Sequence, residues 1–280
     1  MRYKEYLRNE LDKNNPDNLP LPKGYHLIGH VALLVLNFED RDFATKVGKC
    51  TLGYDSRIRS VAIRTGPTSS DIRKPVYELI AGQSDTLTTH IENNVKFRID
   101  PLRVTFSGGN RRERISLPQF VQSHEYVVDM FACVGQFGLH IAKTAGAKVL
   151  AIEMNPEAYS LLEENIRINH VENKMQAVFG DCRKVHPNGV ADRIIMGYLP
   201  GTIDFLPSAL DTLSQEGGTI HIHDSLPENE IGDYCNTINT LASEWGFASV
   251  VLPRKIKHYS PGISHYVFDV SVLPNEASEA

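Results

Sequence analysis

The chain has 280 residues, of which 41% are hydrophobic, and its formal net charge is -5. This length is enough to bury the cores of one large domain and a smaller one. No apolar run approaches the roughly 20 residues of a membrane span, and the polar first residues lack the apolar segment of a signal peptide, so we expect a cytoplasmic protein without a membrane partner. The four cysteines are scattered without C-x-x-C spacing, which predicts neither a metal site nor a disulfide framework.

Residues 1–20 are polar and are interrupted by Asn-Pro and Leu-Pro, which predicts a short helix or a disordered arm. In residues 21–102, short apolar runs alternate with turns rich in Gly, Pro, Asn and Asp, a pattern that predicts a small α+β domain. Its strand candidates are HVALLVLNF, RSVAIRT, VYELIAG and VKFRID.

Basic residues cluster at three places, although the net charge is negative. Each cluster is either a solvated face or a contact to RNA phosphates, which require concentrated positive charge. The first cluster makes residues 21–102 the candidate RNA-binding domain, and the second lies in a connector, residues 103–125. The clusters are Arg57, Arg59, Arg64, Arg73 and Lys74; Arg103, Arg111, Arg112 and Arg114; and Arg254, Lys255, Lys257 and His258.

Strand and helix patterns alternate through residues 126–280. Between the last two predicted strands there is no room for a helix, so we expect them to pair as an antiparallel hairpin. This layout is a parallel sheet with one reversed strand, which is the Rossmann-like seven-stranded sheet of class I methyltransferases that use S-adenosylmethionine (SAM). The predicted strands centre on 126–131, 147–153, 175–180, 191–198, 217–223, 247–253 and 264–272.

The segment VVDMFACVGQFG ends the first of these strands in Asp129 and continues into a turn that contains Gly135 and Gly138. Glycines let the backbone approach a ligand closely. Their spacing is not the G-x-G-x-x-G of a dinucleotide site, so SAM is favoured over NAD. A turn that binds nothing is the alternative. We assign Asp129, Phe131 and Gly135 to the cofactor site, although Phe131 at a strand end also suits the core.

The next two strands also end in polar residues. AKVLAIEMN carries Glu153 about 20 residues after the first turn, where doubly wound nucleotide folds place the carboxylate that takes the ribose hydroxyls. MQAVFGDC ends in Asp181 and Cys182, which we expect near the adenine. Asn155 is a predicted helix N-cap followed by proline, so a helix is expected over 156–169.

Six motifs together resemble the archaeal and eukaryal enzymes that modify tRNA at position 37, next to the anticodon. This family contains the guanine-37 N1-methyltransferase and the tRNA(Phe) aminocarboxypropyltransferase of wybutosine synthesis. The resemblance implies SAM as group donor and the anticodon region of tRNA as partner. It also implies that Ser107 and Arg114 help to bind the methionine end of SAM. The motifs are FSGGNRRER, DMFACVGQF, IEMNPEA, FGDC, DRIIMGY and KHYSPGISHYVFDV.

One segment separates the two activities. The methyltransferases resembled here carry Asn-Leu-Pro after the fourth strand, whereas this chain has Gly197 and Tyr198 at that place. Glycine offers no side chain to hold guanine or to manage its proton, and Met196-Gly197-Tyr198 resembles the archaeal aminocarboxypropyltransferases. We therefore assign Gly197 and Tyr198 to the catalytic site, with Tyr198 or Phe131 as a stacking face for the target base.

The resemblance implies transfer of the 3-amino-3-carboxypropyl group of SAM to carbon 7 of 4-demethylwyosine, with release of methylthioadenosine. Two alternatives remain open at this point. One is the guanine-37 N1-methyltransferase, and the other is a non-catalytic module that binds RNA or a nucleotide on the same fold. An NAD oxidoreductase is disfavoured because the three-glycine turn is missing.

Overall fold

The computed structural model describes residues 1–11, 18–68 and 70–275. The chain divides into two compact units, Met1–Gly108 and Gly109–Ala280. The first unit therefore runs a few residues past the end predicted for the small domain. The boundaries predicted after residues 20, 102 and 125 stay predictions.

In its described residues, the first unit combines two α-helices with two small sheets. Strands β1 to β4 form one sheet in chain order, in which β2 and β3 are parallel and the other neighbours are antiparallel, and β5 pairs with β6 as a hairpin. The elements are α1 Tyr3–Leu11, β1 His26–Ile28, β2 Val31–Leu34, α2 Arg41–Tyr54, β3 Ser60–Arg64, β4 Tyr77–Gly82, β5 Thr88–Glu92 and β6 Val95–Ile99.

Both helices of this unit belong to its core. Tyr3, Leu7 and Leu11 of α1 are buried, so residues 1–11 take the helical alternative that the sequence allowed; residues 12–17 of the predicted arm lie outside the described residues. Helix α2 was missing from the sequence prediction, which placed only strands and turns there. Its start is fixed locally because the Asp40 side chain accepts a hydrogen bond from the Phe43 N–H at 2.8 Å, as an N-cap does.

The second unit is a seven-stranded sheet in the order β12-β13-β11-β10-β7-β8-β9. Only β13 runs against the others, because it is antiparallel to both β11 and β12. This confirms the class I methyltransferase fold. Its strands are β7 Tyr126–Asp129, β8 Lys148–Glu153, β9 Met175–Phe179, β10 Arg193–Met196, β11 Gly218–Pro227, β12 Phe247–Ser260 and β13 Ile263–Pro274.

Helices connect most of these strands. They are α3 Arg111–Ser116, α4 Gly138–His140, α5 Pro156–Ile168, α6 Cys182–Val185, α7 Leu206–Thr212 and α8 Ile231–Glu244. Helix α5 confirms the predicted N-cap, since the Asn155 side chain accepts from the Glu157 N–H at 3.0 Å. Among the described residues, no helix is both long and apolar enough to cross a membrane.

The order of the sheet reverses between β7 and β10. Chain order runs outward from β7 through β8 to β9 on one side, and from β10 through β11 on the other. In open α/β sheets, the crevice at such a reversal, at the carboxyl ends of the strands, is where ligands bind. The hairpin β12–β13 is longer than predicted: β12 continues to Ser260, so Lys257 and His258 lie on a strand.

Candidate cofactor and substrate site

The carboxylate of Asp129 organises the turn that follows β7. Asp129 is fully buried, and its two carboxylate oxygens accept the backbone N–H groups of Phe131 and Gly138, each at 3.3 Å. Burial raises the pKa of the Asp129 carboxyl to about 7, with a contribution from the nearby charge of Glu153. Asp129 therefore shapes the turn from within, and a β-carbon on Gly138 would lie 3.6 Å from its Oδ2.

Glu153 closes the same turn from the end of β8. Its Oε2 accepts the N–H of Cys133 and its Oε1 accepts the N–H of Asn155, both at 2.7 Å. Burial raises the pKa of this carboxyl against the opposing effect of these bonds. Met154 contributes a third backbone hydrogen bond, so about one of the four lone-pair sites of this carboxylate is left for a ligand. Gly135, at φ +90°, packs against Leu139 and Leu162, where a β-carbon would collide.

Asp181 follows β9 at the same edge of the sheet. It is the N-cap of α6, accepting the N–H of Arg183 at 3.0 Å, and it forms an ion pair with the Arg183 guanidinium at 2.6 Å. That guanidinium lowers the pKa of the Asp181 carboxyl. Cys182 is buried and supplies its backbone to the first turn of α6. The structure thus brings Asp129, Glu153 and Asp181 to the ends of neighbouring strands.

An aromatic cluster lies beside these strand ends. The ring of Phe131 stacks on that of Tyr198, with centroids 5.1 Å apart and an interplanar angle of 29°. Phe205 meets both rings edge-on, at 4.9 and 5.4 Å. The Arg183 guanidinium lies over the Phe205 ring at 4.9 Å from its centroid. Phe131 is half-buried and packs against the main core, while one face of its ring meets Tyr198. The residue can therefore belong to the core and also offer a stacking surface.

Gly197 and Tyr198 begin the loop after β10. A β-carbon on Gly197 would already touch the Phe137 ring, 3.4 Å from its Cε2. This loop is fixed farther along by Asp224 of β11, a buried residue that sequence reasoning did not single out. Oδ1 of Asp224 accepts the N–H groups of Gly201 and Ser225 at 3.0 and 2.7 Å. Its Oδ2 accepts the N–H of Thr202 at 2.9 Å and the hydroxyl of Tyr234 at 2.8 Å.

Arg114 is buried at 1% exposure, which excludes the sequence-based alternative of a surface cation. One guanidinium N–H donates to Gln136 Oε1 at 3.3 Å, so Arg114 contacts the turn between β7 and α4. Ser107, the other residue expected at the methionine end, is half-buried and belongs to the first compact unit. Its role in the cofactor site stays a prediction.

A chain of charged groups, buried at Arg193 and His221 and exposed at Arg254, supports this region. Arg193 of β10 donates two hydrogen bonds to Glu125, at 2.6 and 3.1 Å, and its Nη1 lies 2.7 Å from His221 Nε2. Because a guanidinium only donates, His221 Nε2 accepts, and its Nδ1–H points to Asp269 Oδ1 at 2.6 Å. Asp269 pairs with Arg254, whose guanidinium also binds Glu113 of α3 at 3.0 Å. The chain of charges thus links the sheet to the helix that carries Arg114.

Two further histidines lie on β11 and β13. His223 Nδ1 and His265 Nε2 are 3.1 Å apart, and the His223 ring packs on Phe137 with centroids 5.1 Å apart. Burial lowers the pKa of both, that of His265 to about 4, so both are neutral at pH 7. Within the described ranges, no three His, Cys, Asp or Glu side chains are arranged to hold a metal ion.

Comparison with known proteins agrees with this arrangement. A family model described as the TRM5/TYW2 methyltransferase domain matches residues 88–249, and one described as the TYW2 N-terminal domain matches residues 3–86. The chain is 37% identical over 277 residues to the tRNA(Phe) (4-demethylwyosine(37)-C(7)) aminocarboxypropyltransferase of Pyrococcus horikoshii. The alignment covers 96% of this chain and 97% of that one.

Two further similarities bear on the alternatives. Identity to the tRNA (guanine(37)-N(1))-methyltransferase Trm5b of Pyrococcus abyssi is 32% over 254 residues, 90% of this chain and 76% of that one. The crystal structure of P. horikoshii TYW2 in complex with MeSAdo superposes with a TM-score of 0.84 at 35% identity, covering 96% of this chain and 99% of that chain. With its two family matches and a relative aligned over nearly its whole length, the chain belongs to the TRM5/TYW2 family.

Proposed function

We propose that this protein transfers the 3-amino-3-carboxypropyl group of SAM to carbon 7 of 4-demethylwyosine at position 37 of tRNA(Phe). Gly197 favours this activity over that of a guanine-37 N1-methyltransferase. At this position after β10, glycine offers no side chain that could hold guanine or accept its ring proton. The similarity to an aminocarboxypropyltransferase along nearly the whole chain supports the same activity.

The pocket suits a nucleoside donor. We place the ribose hydroxyls at Glu153, whose carboxylate has about four lone-pair sites and accepts from the backbone N–H groups of Cys133, Met154 and Asn155, so that capacity for a further donor is left. Gly135 lets the turn pack closely on Leu139 and Leu162. Asp181 and the Cys182 backbone lie at the next strand end, where we place the adenine. When bound, SAM supplies a methylene that its sulfonium makes electrophilic. Carbon 7 of the base attacks this methylene, and methylthioadenosine is the leaving group.

The contribution of the protein is mainly orientation. Three carbons of a sulfonium are electrophilic, and the one held in line with the nucleophile reacts. We assign Arg114 to the methionine end, where a two-pronged guanidinium suits a carboxylate. We assign Tyr198, stacked on Phe131, to the target base, which must leave the anticodon stack to reach the pocket. Attack by carbon breaks the bond from sulfur to the methylene, and the base later loses its ring proton to water.

The tRNA is held by cations in this proposal. Exposed basic side chains occur in both units, where phosphates can reach them. Arg57 is already engaged with Asp55 at 2.6 Å, but that pair is largely exposed on the arginine side and therefore weak. We propose that the protein contacts the anticodon loop of the tRNA, because position 37 lies in that loop. The exposed cations are Arg57, Arg59, Arg64 and Lys74 in the first unit and Arg111 and Arg112 in the second.

The identity of the small-molecule product tests the reaction. The protein should convert SAM to methylthioadenosine only in the presence of tRNA(Phe) that carries 4-demethylwyosine, and mass spectrometry should find that base heavier by an aminocarboxypropyl group. S-adenosylhomocysteine and a methylated guanosine from unmodified tRNA would instead establish a methyltransferase. Binding of both ligands without any product would establish a non-catalytic module.

Glu153 provides a direct test of the cofactor pocket. Glu153→Ala is expected to weaken SAM binding by roughly 1–3 kcal/mol, because the ribose hydroxyls lose their acceptor on binding. Calorimetry on a variant with an unchanged far-ultraviolet circular dichroism spectrum measures this. Glu157→Ala, on the first turn of α5, is the matched control and should bind as the wild type does. If Glu153→Ala bound SAM with unchanged affinity, Glu153 would not be the residue that binds the ribose.

A further inference from the structure

Two motifs of the sequence meet in the second unit at Lys257. The Lys257 ammonium donates to Asn110 Oδ1 at 3.1 Å, which joins strand β12 to the GGNRRER segment. A β-carbon on Gly109 would collide with the same ammonium, so glycine at this position leaves room for it. Asn110 and Arg114 are four residues apart at the start and in the last turn of α3, a spacing that puts them on one helix face.

Lys257 faces a second cation rather than a carboxylate. Burial and the positive charge of Arg114 both lower the pKa of the Lys257 ammonium. Its hydrogen-bond partner Asn110 is a neutral amide, and over the described residues Lys257 forms no ion pair within 4.0 Å. Arg114 is buried and Lys257 is half-buried, so water screens their repulsion only in part, and an anion between them removes the repulsion and gains attraction from both.

His265 adds a donor on the same face. It is the cross-strand partner of Lys257 in the β12–β13 register, which places the two side chains next to each other. His265 is fully buried, and its Nδ1 has no hydrogen-bond partner among the described residues, while its Nε2 meets His223 Nδ1 at 3.1 Å. We assign the tautomer in which His223 Nδ1–H donates to His265 Nε2, because the neutral His265 ring then carries its proton on Nδ1, where it is available to a ligand.

This group adjoins the cofactor turn through Arg114 and Gln136. We infer that Lys257, together with Arg114 and the Nδ1–H of His265, binds the α-carboxylate of the group that is transferred from SAM. The inference rests on the proposed function and adds the residue that fixes the far end of the aminocarboxypropyl chain. A phosphate of the bound RNA is the other anion of suitable chemistry.

A comparison of two ligands isolates the carboxylate. Lys257→Met keeps the aliphatic stem but removes the charge, and it should weaken SAM binding roughly 10- to 100-fold, as expected for loss of a charge-assisted hydrogen bond. Binding of methylthioadenosine, which has no carboxylate, should stay within about 2-fold of wild type, the margin left by ordinary surface changes. Lys257→Arg should recover part of the SAM affinity. Lys255→Met removes an exposed lysine that pairs with Glu228, and it should affect neither ligand.

Three results would overturn the inference. Equal weakening of SAM and methylthioadenosine would mean that Lys257 only supports the fold, and a thermal melt of Lys257→Met shows whether it is folded. Unchanged SAM binding with weaker tRNA binding, and a salt slope smaller by about one, would assign Lys257 to an RNA phosphate. If Lys257→Met bound both SAM and tRNA as the wild type does, Lys257 would contact neither ligand. A methyl-transfer product would contradict the proposed function, but Lys257→Met would still bind SAM more weakly and methylthioadenosine equally well. Failure of the proposed function can therefore be told apart from failure of the carboxylate assignment.

Discussion

Asp224→Ala is expected to lower the turnover of tRNA by about 100-fold, the loss that a displacement of about 1 Å in a reacting group produces. The wild-type carboxylate accepts the N–H groups of Gly201, Thr202 and Ser225 and the hydroxyl of Tyr234. Without it, the loop that begins with Gly197 and Tyr198 loses its attachment to β11. Because Asp224 acts through this loop, kcat should fall while the affinity for SAM changes little, and single-turnover kinetics with calorimetry measures both.

Tyr234→Phe is the matched control for Asp224. It removes one of the donors to Asp224 and leaves the backbone attachment of the loop intact, so its turnover should be close to that of the wild type. If Tyr234→Phe matched the loss in Asp224→Ala, the effect would come from packing of α8 rather than from the loop. If Asp224→Ala were fully active, the loop would be held by other contacts.

Arg193→Met is expected to lower the free energy of unfolding by about 3–5 kcal/mol, because it leaves the buried Glu125 carboxylate without its cation. The guanidinium is 8% exposed and also donates to the Phe120 carbonyl at 2.9 Å. Burial by itself raises the pKa of Glu125, yet the hydrogen bonds from Arg193 and from the Gln122 N–H, together with the Arg193 charge, outweigh it and the pKa is lowered. Denaturant unfolding at pH 7 measures the loss.

The double variant Glu125→Leu with Arg193→Met tests the reason for this loss. With both charges absent, no buried ion is stranded, and an apolar pair of similar volume restores most of the stability. A double variant as unstable as Arg193→Met would show that the guanidinium contributes through Phe120 and His221 rather than through Glu125.

The sheet of the second unit was predictable because its strands are continuous apolar runs that end in polar residues. β8, with KVLAIE, is buried through four successive residues and then ends in the half-buried Glu153 at the edge of the sheet. Helix α2 was not predictable by the same reasoning, since two glycines and two threonines in RDFATKVGKCTLGY weaken its helical signal. The Asp40 N-cap and the spacing of Phe43, Ala44 and Val47 were the available evidence for it.

The candidate site was predictable where it depends on strand ends and not where it depends on pairing across the fold. Parallel strands end at one edge, so Asp129, Glu153 and Asp181 were expected together. The contact of Asp224 with the Gly201 loop spans 22 residues in sequence and has no local signature. An aspartate within the apolar strand TIHIHDSL was nevertheless a signal, since a buried carboxylate must have partners.

The reversal of strand order between β7 and β10 divides the proposed site into two halves. In our proposal, Glu153 and Asp181 hold the nucleoside on the β8–β9 side, and Lys257 and His265 hold the amino acid on the β12–β13 side. The bond that breaks in aminocarboxypropyl transfer lies between these halves. Methylthioadenosine afterwards keeps only the contacts of one half, so it dissociates more readily than SAM. After methyl transfer, S-adenosylhomocysteine would still span both halves, and the same architecture would retain its own product.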